Sequence, residues 1–350
     1  MSYLHHYTPV LKVRQAEVSA LALLSTIARA NLTPLFQLMD FPLSRLDDLT
    51  VNYEGPPPSI GGHISRQIKL IVAAMHGNGR VFIDLQLLSA DVLWKNPTLP
   101  KVIFRELYRS GIRPIPVIHA NTPPTVLSEL KEFHKIIDCG FMIRLNPTSI
   151  AQLPTIQRWL QCPPEKIDIL LDYGSILYDK LDNFVYSAAS YINTSLPFLY
   201  QWRSLTIASG AFPGHLRSYL PSTQNKIARL DSRFWSRLIQ QGLERDPWYA
   251  DYGIFPPGLG ASLGKNIAGI CYTANHDWYI LRSPDIVKRN SRDFCNQLIN
   301  QPFYDNPGFS YADSQIFKCA MGKITITSGA EWRKISINRH LEKTCAMLTH

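Results

Sequence analysis

Gly140-Phe-Met-Ile-Arg-Leu145, the amphipathic stretch Ser149 to Leu160, and Ile167-Asp-Ile-Leu-Leu-Asp172 read as one strand–helix–strand unit. Each short apolar run suits a buried strand, and the stretch between them carries apolar residues at helical spacing. The unit recurs in both directions with a period of about 30 residues. Toward the N-terminus lie Arg113-Pro-Ile-Pro-Val-Ile-His119, Arg80-Val-Phe-Ile-Asp-Leu85, Leu32-Thr-Pro-Leu-Phe-Gln-Leu-Met39 and Pro9-Val-Leu-Lys-Val-Arg14. Their helices are expected over Pro124 to Ile137, Leu99 to Ser110, His63 to Met75 and Ala16 to Ala30. Toward the C-terminus lie Ser204-Leu-Thr-Ile-Ala-Ser209 and Trp248-Tyr-Ala-Asp-Tyr-Gly-Ile254, with helices over Asp179 to Ile192, Leu196 to Trp202 and Ser232 to Leu243. Eight strands joined by helices is the count of a (β/α)8 TIM barrel, the α/β class expected here. An open doubly wound sheet alternates in the same way, but no GxGxxG follows the first strand.

The pattern changes after Gly264. Ile267-Ala-Gly-Ile-Cys-Tyr-Thr273 and Trp278-Tyr-Ile-Leu-Arg282, separated by Ala274-Asn-His-Asp277, read as a β-hairpin. Asp293 to Asn300, Phe309 to Ala320 and Ser336 to Leu348 read as helices. The expected organisation is a barrel over residues 1–262 and a hairpin with helices over 263–350, packed on the barrel rather than independent.

Of the 350 residues, 45% are apolar and 18% charged, which excludes global disorder. The formal net charge of +9 favours anionic partners. The six cysteines form no CxxC pair, so neither a zinc knuckle nor a disulfide framework is indicated. Met1-Ser-Tyr-Leu-His-His lacks the basic region and apolar core of a signal peptide. No apolar run approaches the ~18 residues of a membrane span. A reduced, cytoplasmic protein without membrane contact is expected.

Tyr7-Thr-Pro-Val-Leu-Lys12, Ala16-Glu17 and Ala20-Leu21 resemble the start of the phage "beta protein" family. Ser209-Gly-Ala-Phe-Pro213, Asp251-Tyr252, Glu331-Trp332 and Arg339-His340 are similar to it as well. The family's namesake comes from a satellite phage and is encoded beside a host-killing gene. The resemblance therefore implies a prophage-borne role in phage defence or in a toxin–antitoxin pairing, with the products of neighbouring genes as partners. It supplies no catalytic residues.

A TIM barrel carries its site where the strands end. Alternation turns Val81, Ile83 and Leu85 toward the helices, and Phe82, Asp84 and Gln86 inward. It likewise turns Ile143 and Leu145 outward and Met142, Arg144 and Asn146 inward. Ile169 and Leu171 go outward and Asp172 inward; Leu11 and Val13 outward, Lys12 and Arg14 inward. Gln37 and His119 are further inward members, and Asp251 of the eighth strand is grouped with them. Two readings of this mouth stand. One is a ring of structural ion pairs, Lys12 with a neighbouring acid and Arg144 with Asp172. The other is a ligand site, with Asp84 and His119 as an acid–base pair and Lys12, Arg14 and Arg144 holding an anion.

The loops after the seventh and eighth strands are glycine-rich: Ser209-Gly-Ala-Phe-Pro-Gly214 and Pro256-Pro-Gly-Leu-Gly-Ala-Ser-Leu-Gly-Lys265. Two readings stand here: a flexible turn into the hairpin, or a phosphate site formed by Ser209, Gly210, Gly258, Gly260 and Lys265 through exposed backbone N–H groups. A P-loop is excluded, because the spacing is off by one, Asn266 replaces the Mg²⁺-holding hydroxyl and a strand follows. Asp84, His119, Asp172 and Asp251 offer ligands for a divalent ion, but they come from separate strands and no HExxH occurs; no metal or cofactor is expected. Arg229, Arg233 and Arg237, beside Phe234 and Trp235, suggest a basic helical face for nucleic acid, although a solvated face reads the same way. Two functions follow. One is a defence or toxin-control protein binding a phosphorylated ligand, nucleic acid or a partner protein. The other is a TIM-barrel hydrolase acting on a nucleotide or phosphodiester.

Overall fold

The computed structural model describes residues 6–40, 59–214, 224–258, 269–282 and 291–349. Within them, eight parallel strands close into a barrel in the order they occur along the chain. They are β1 (Tyr7–Lys12), β2 (Leu35–Gln37), β3 (Gly79–Asp84), β4 (Ile112–Ile118), β5 (Phe141–Leu145), β6 (Ile167–Ser175), β7 (Ser204–Gly210) and β9 (Trp248–Asp251). β1 closes the ring against β9, with Tyr7 opposite Tyr249 and Pro9 opposite Asp251. The closed (β/α)8 barrel is the one the alternation predicts.

The surrounding helices are α1 (Gln15–Ala22), α2 (Thr26–Ala30), α3 (Ile60–Ala74), α4 (Ala90–Lys95), α5 (Leu99–Arg109), α6 (Pro124–Ile137), α7 (Leu153–Leu160), α8 (Leu181–Ser190) and α9 (Leu230–Ile239). The single helix expected over Ala16 to Ala30 is two. Ser25 starts the second by accepting the Ala28 N–H on its side chain. Leu196 to Trp202 forms turns, not a helix. Pro197 supplies no N–H there, and Phe198 sits at φ +53°.

Val10, Leu35, Phe82, Met142, Leu170 and Ala208 pack inside the barrel, while Leu11, Phe36, Ile83, Ile143 and Leu171 face the helices. This is the expected alternation. The N-terminal end is closed by fully buried Asp168, which takes both carboxylate contacts from Arg80 at 3.0 Å, Arg203 Nη2 at 2.6 Å and Ser204 Oγ at 2.6 Å. Nearby, Gly140 has φ +76°, and a Cβ would lie 2.0 Å from the Lys166 carbonyl oxygen. Ion pairs at this end of a barrel serve stability.

A strand the alternation does not predict, β8 (Gln224–Ala228), precedes α9 and leaves the barrel. It pairs with the expected hairpin, β10 (Gly269–Thr273) and β11 (Asp277–Arg282), in an antiparallel sheet ordered β10-β11-β8. Helices α10 (Ser291–Ile299), α11 (Tyr311–Ala320) and α12 (Gly329–Leu348) follow. α12 starts seven residues before the expected Ser336, because Ser328 accepts the Glu331 N–H as its cap. α12 lies against α1 and α2. Asn338 donates to the Ala20 carbonyl at 3.1 Å, and the Glu342 carboxylate accepts from Ser25 N–H and Oγ–H at 2.5 and 2.9 Å.

Candidate functional site

Strand register places Lys12 beside Gln37 and Gln37 beside Asp84, so three neighbouring strands set these side chains in one layer at the barrel mouth. At ~4.8 Å per strand, Lys12 and Asp84 stand roughly 10 Å apart. Asp84 is fully buried and accepts four hydrogen bonds. Oδ1 receives His119 Nε2 at 2.9 Å and the Gln86 N–H at 2.9 Å; Oδ2 receives Arg144 Nη1 at 2.7 Å and Gln37 Nε2 at 3.2 Å. Burial alone would raise this carboxyl. His119 and Arg144 outweigh it and hold Asp84 well below the usual carboxylate range.

Arg144 is the hub. Its Nε and Nη2 bond Asp172 Oδ2 at 2.9 and 2.6 Å, and Nη2 also bonds Tyr252 Oη at 2.6 Å. Tyr252 in turn donates to Asp172 Oδ2 at 2.5 Å. The guanidinium is buried, which disfavours its charge, but Tyr252, Asp172 and Asp84 more than offset that and hold its pKa well above the ordinary value. Arg144 thus spends most of its donors on two carboxylates and a tyrosine of the protein itself, the arrangement of the ion-pair reading.

Lys12 is buried too, but its expected acidic partner is replaced by a backbone oxygen. Nζ donates to the Gly258 carbonyl at 2.6 Å. Burial, then Arg14, lowers its pKa. Arg14 is half-buried just beyond β1, at the N-terminal boundary of α1. Next to them Glu17 is fully buried. Its Oε2 accepts the Lys12 N–H at 2.8 Å, and Oε1 has no partner among the described residues. Burial pushes its carboxyl up to about 7 against the opposing pull of Arg14 and Lys12.

Gly210 faces inward. A Cβ there would lie 2.9 Å from Pro257 and 3.1 Å from the Tyr252 ring. Gly258, at φ +90°, presents its carbonyl to Lys12, the opposite polarity to an anion nest. Gly260 and Lys265 lie outside the described residues.

Ser209 and Asp251 point away from the mouth, contrary to expectation. Alternation puts Ala208 and Ala250 inside, so their neighbours, paired with each other across β7 and β9, face outward. Asp251 there receives Tyr7 Oη at 2.6 Å on Oδ1, and His340 Nε2 at 2.9 Å on Oδ2. Tyr249 Oη lies 2.6 Å from Asp231 and 2.9 Å from Asp251, and Arg229 Nη2 is 3.5 Å from both carboxylates. The four-ligand metal set is therefore split between two faces. Among the described residues, no three His, Cys, Asp or Glu side chains are placed to hold a metal ion.

The basic row on α9 is also corrected. Arg229 is buried in the Asp251 cluster, Arg233 pairs with Asp277 and Arg237 with Asp182, and Phe234 and Trp235 are core residues. Tyr252 and Glu17 are the mouth residues missing from the expected set. Alternation from inward Ala250 points to Tyr252. Glu17 has a weaker signal, a carboxylate on the otherwise apolar buried face of α1.

Chemically, Asp84 is an anchored anion that orients His119 and is poorly placed to move a proton itself. The imidazole has its Nδ1 without a described partner, and its side chain is 11% exposed. It borders a cavity of about 230 Å³ with Gln86, Leu88, Leu93, Asn121 and Thr122. An imidazole tied by one nitrogen to a buried carboxylate and open at the other is the geometry of a general base or acid.

Among the described residues no helix is long and apolar enough to cross a membrane. Residues 7–346, nearly the whole chain, match the family model described as Beta protein. No curated protein and no solved structure matches the chain.

Proposed function

Since the chain belongs to the phage beta protein family, we propose that it is a prophage-encoded defence or toxin-control protein that binds a phosphorylated ligand at its barrel mouth. Lys12 and Arg14 are the cations of that site, and His119 faces the ligand. Lys12 carries the proposal. It is a buried ammonium bonded, among the described residues, to a carbonyl alone. Glu17 is the carboxylate near it, but burial raises that carboxyl toward neutrality, so the buried cation is incompletely matched, and a bound anion offsets the cost of burying it. The basic net charge draws such ligands toward the mouth. Defence or toxin control rests on the family resemblance, and the products of neighbouring genes are its proposed partners.

Thermal melts with phosphate, AMP and ATP test the site, because a ligand bound only by the native state raises the melting temperature. Millimolar ligand should stabilise the wild type but not Lys12→Met. Equal melting temperatures throughout would refute the anion site. Phage challenge of cells carrying the neighbouring genes tests the biological role; undiminished protection by Lys12→Met would detach the role from the mouth.

One observation favours the second reading, hydrolysis of a nucleotide or phosphodiester: the imidazole of His119 oriented by Asp84, with no partner for Nδ1 among the described residues. His119→Asn should then bind AMP as the wild type does and turn over no phosphodiester. Unchanged turnover in that variant would exclude His119 as the acid–base group.

A further inference from the structure

The cavity beside His119 adjoins a groove at the surface and shares lining residues with it. Asn121, Thr122 and Pro123 line both, and the groove, of about 810 Å³, runs between α6 and α7. At about 230 Å³ the cavity falls below the ~300–1,000 Å³ of sites that enclose a drug-sized molecule. It has room for a fragment, and its walls fit a flat heteroaromatic one. Leu88, Leu93 and Val126 supply apolar faces, while Gln86, Asn121 and His119 supply hydrogen-bonding groups at the edge.

The groove has a different character. Trp159 is half exposed, an unusual position for so large an apolar ring. Lys131 and Arg158 flank it. The Lys131 ammonium donates to the Trp159 carbonyl at 2.7 Å and to Gln161 Oε1 at 3.2 Å, both neutral, so its position is fixed and its charge is not cancelled. Arg158 is exposed and forms no ion pair among the described residues. Lys135 is paired with Glu132 at 2.7 Å and adds no net charge.

We infer that this groove and cavity together bind single-stranded nucleic acid, with one base in the cavity beside His119 and the following backbone along Lys131, Trp159 and Arg158. Uncancelled cations, Lys131 held in place and Arg158 exposed, interleaved with an exposed aromatic suit a sugar–phosphate chain with unpaired bases. A base can enter the cavity only when it is unpaired, which disfavours duplex. A free nucleotide would fill the cavity and leave Trp159 and Arg158 unused. This site goes beyond the mouth reading and shares with it only His119, which borders the cavity.

Binding of short fluorescent single-stranded DNA and RNA oligonucleotides, followed by anisotropy at several salt concentrations, tests it. Trp159→Ala should weaken binding about ten-fold or more, the range of a lost base–aromatic stack, while Trp159→Phe keeps most of it. Arg158→Ala should shallow the salt dependence by about 0.7 in log–log slope, one phosphate contact on a single strand. All three variants alter exposed side chains and should keep the wild-type melting temperature and the Lys12-dependent phosphate shift. Two results would overturn the inference: no oligonucleotide binding by a wild type that still shows the phosphate shift, or binding that ignores Trp159 and Arg158. Groove-dependent binding by a protein with no phosphate shift would sustain this inference and remove the mouth reading instead.

Discussion

The barrel presents two Asp–His pairs that differ in what surrounds them. Asp84 and His119 meet at the mouth, Asp251 and His340 between β9 and α12, each pair at 2.9 Å. His340 is sealed, with Trp278 Nε1 donating to its Nδ1 at 3.4 Å and Thr273 Oγ1 3.2 Å from the same nitrogen. His119 keeps one nitrogen without a described partner and a cavity beside it. An Asp–His contact is therefore no mark of chemistry by itself; the second nitrogen decides. The sealed pair acts as a fastener. It joins the first strand through Tyr7, the last barrel strand through Asp251 and the final helix through His340. Arg339, beside it, fastens α12 to α11 through Asp313 at 2.9 Å.

The largest expected effect breaks the sealed pair. Asp251→Ala leaves Arg229 and His340 without their shared carboxylate, and removing one partner of a buried charge cluster costs about 3–5 kcal/mol. Urea unfolding should show that loss in Asp251→Ala, whereas His119→Ala at the mouth, which leaves Asp84 still bonded to Arg144, Gln37 and the Gln86 N–H, should cost less, about 1–2 kcal/mol. Equal losses in the two variants would erase the distinction between the regions.

Next comes Glu17, whose carboxyl is raised by burial from its ordinary 4.5 to about 7. The native state holds this proton more tightly than the unfolded chain, so stability falls as pH rises from about 4.5 through about 7. The loss is on the order of 3 kcal/mol at full extent. Unfolding at pH 5 and pH 8 should show it in the wild type and a flatter dependence in Glu17→Gln. A variant with the full wild-type slope would place the titrating group elsewhere.

The smallest effect sharpens the mouth. Tyr252→Phe removes one hydroxyl between Arg144 and Asp172, and should cost about 1 kcal/mol in urea unfolding. The loss should be smaller than that of Asp84→Ala, which strands Arg144 and His119. A larger loss in Tyr252→Phe would make the tyrosine, rather than the carboxylates, the centre of the mouth.

Much of this was legible in the chain. β3, β5 and β6 each carry a polar residue among apolar ones, so alternation alone orients Asp84, Arg144 and Asp172. β9 defeats the same rule. Its run from Trp248 is apolar on both faces, and Asp251 stands out as a charge at a strand end; only the pairing with β7 and β1 shows that it faces outward. The pairing of Arg144 with Asp172 on the adjacent strand was legible too, whereas its contacts to Asp84 and Tyr252 were not, because those partners come from β3 and the residue after β9, far apart in sequence. β8 is short and mixed in polarity, and gains its place from pairing with β11. Gly260 and Lys265 of the glycine-rich loop lie outside the described residues, and their proposed phosphate contacts stand on sequence alone.

The most direct test of the central claim is the histidine NMR spectrum of the protein titrated with AMP, with the two signals assigned by their loss in His119→Asn and His340→Gln. The His119 ring resonances should move with ligand while those of His340 stay fixed. Movement of His340 alone, or of neither ring at saturating millimolar AMP, would contradict the claim.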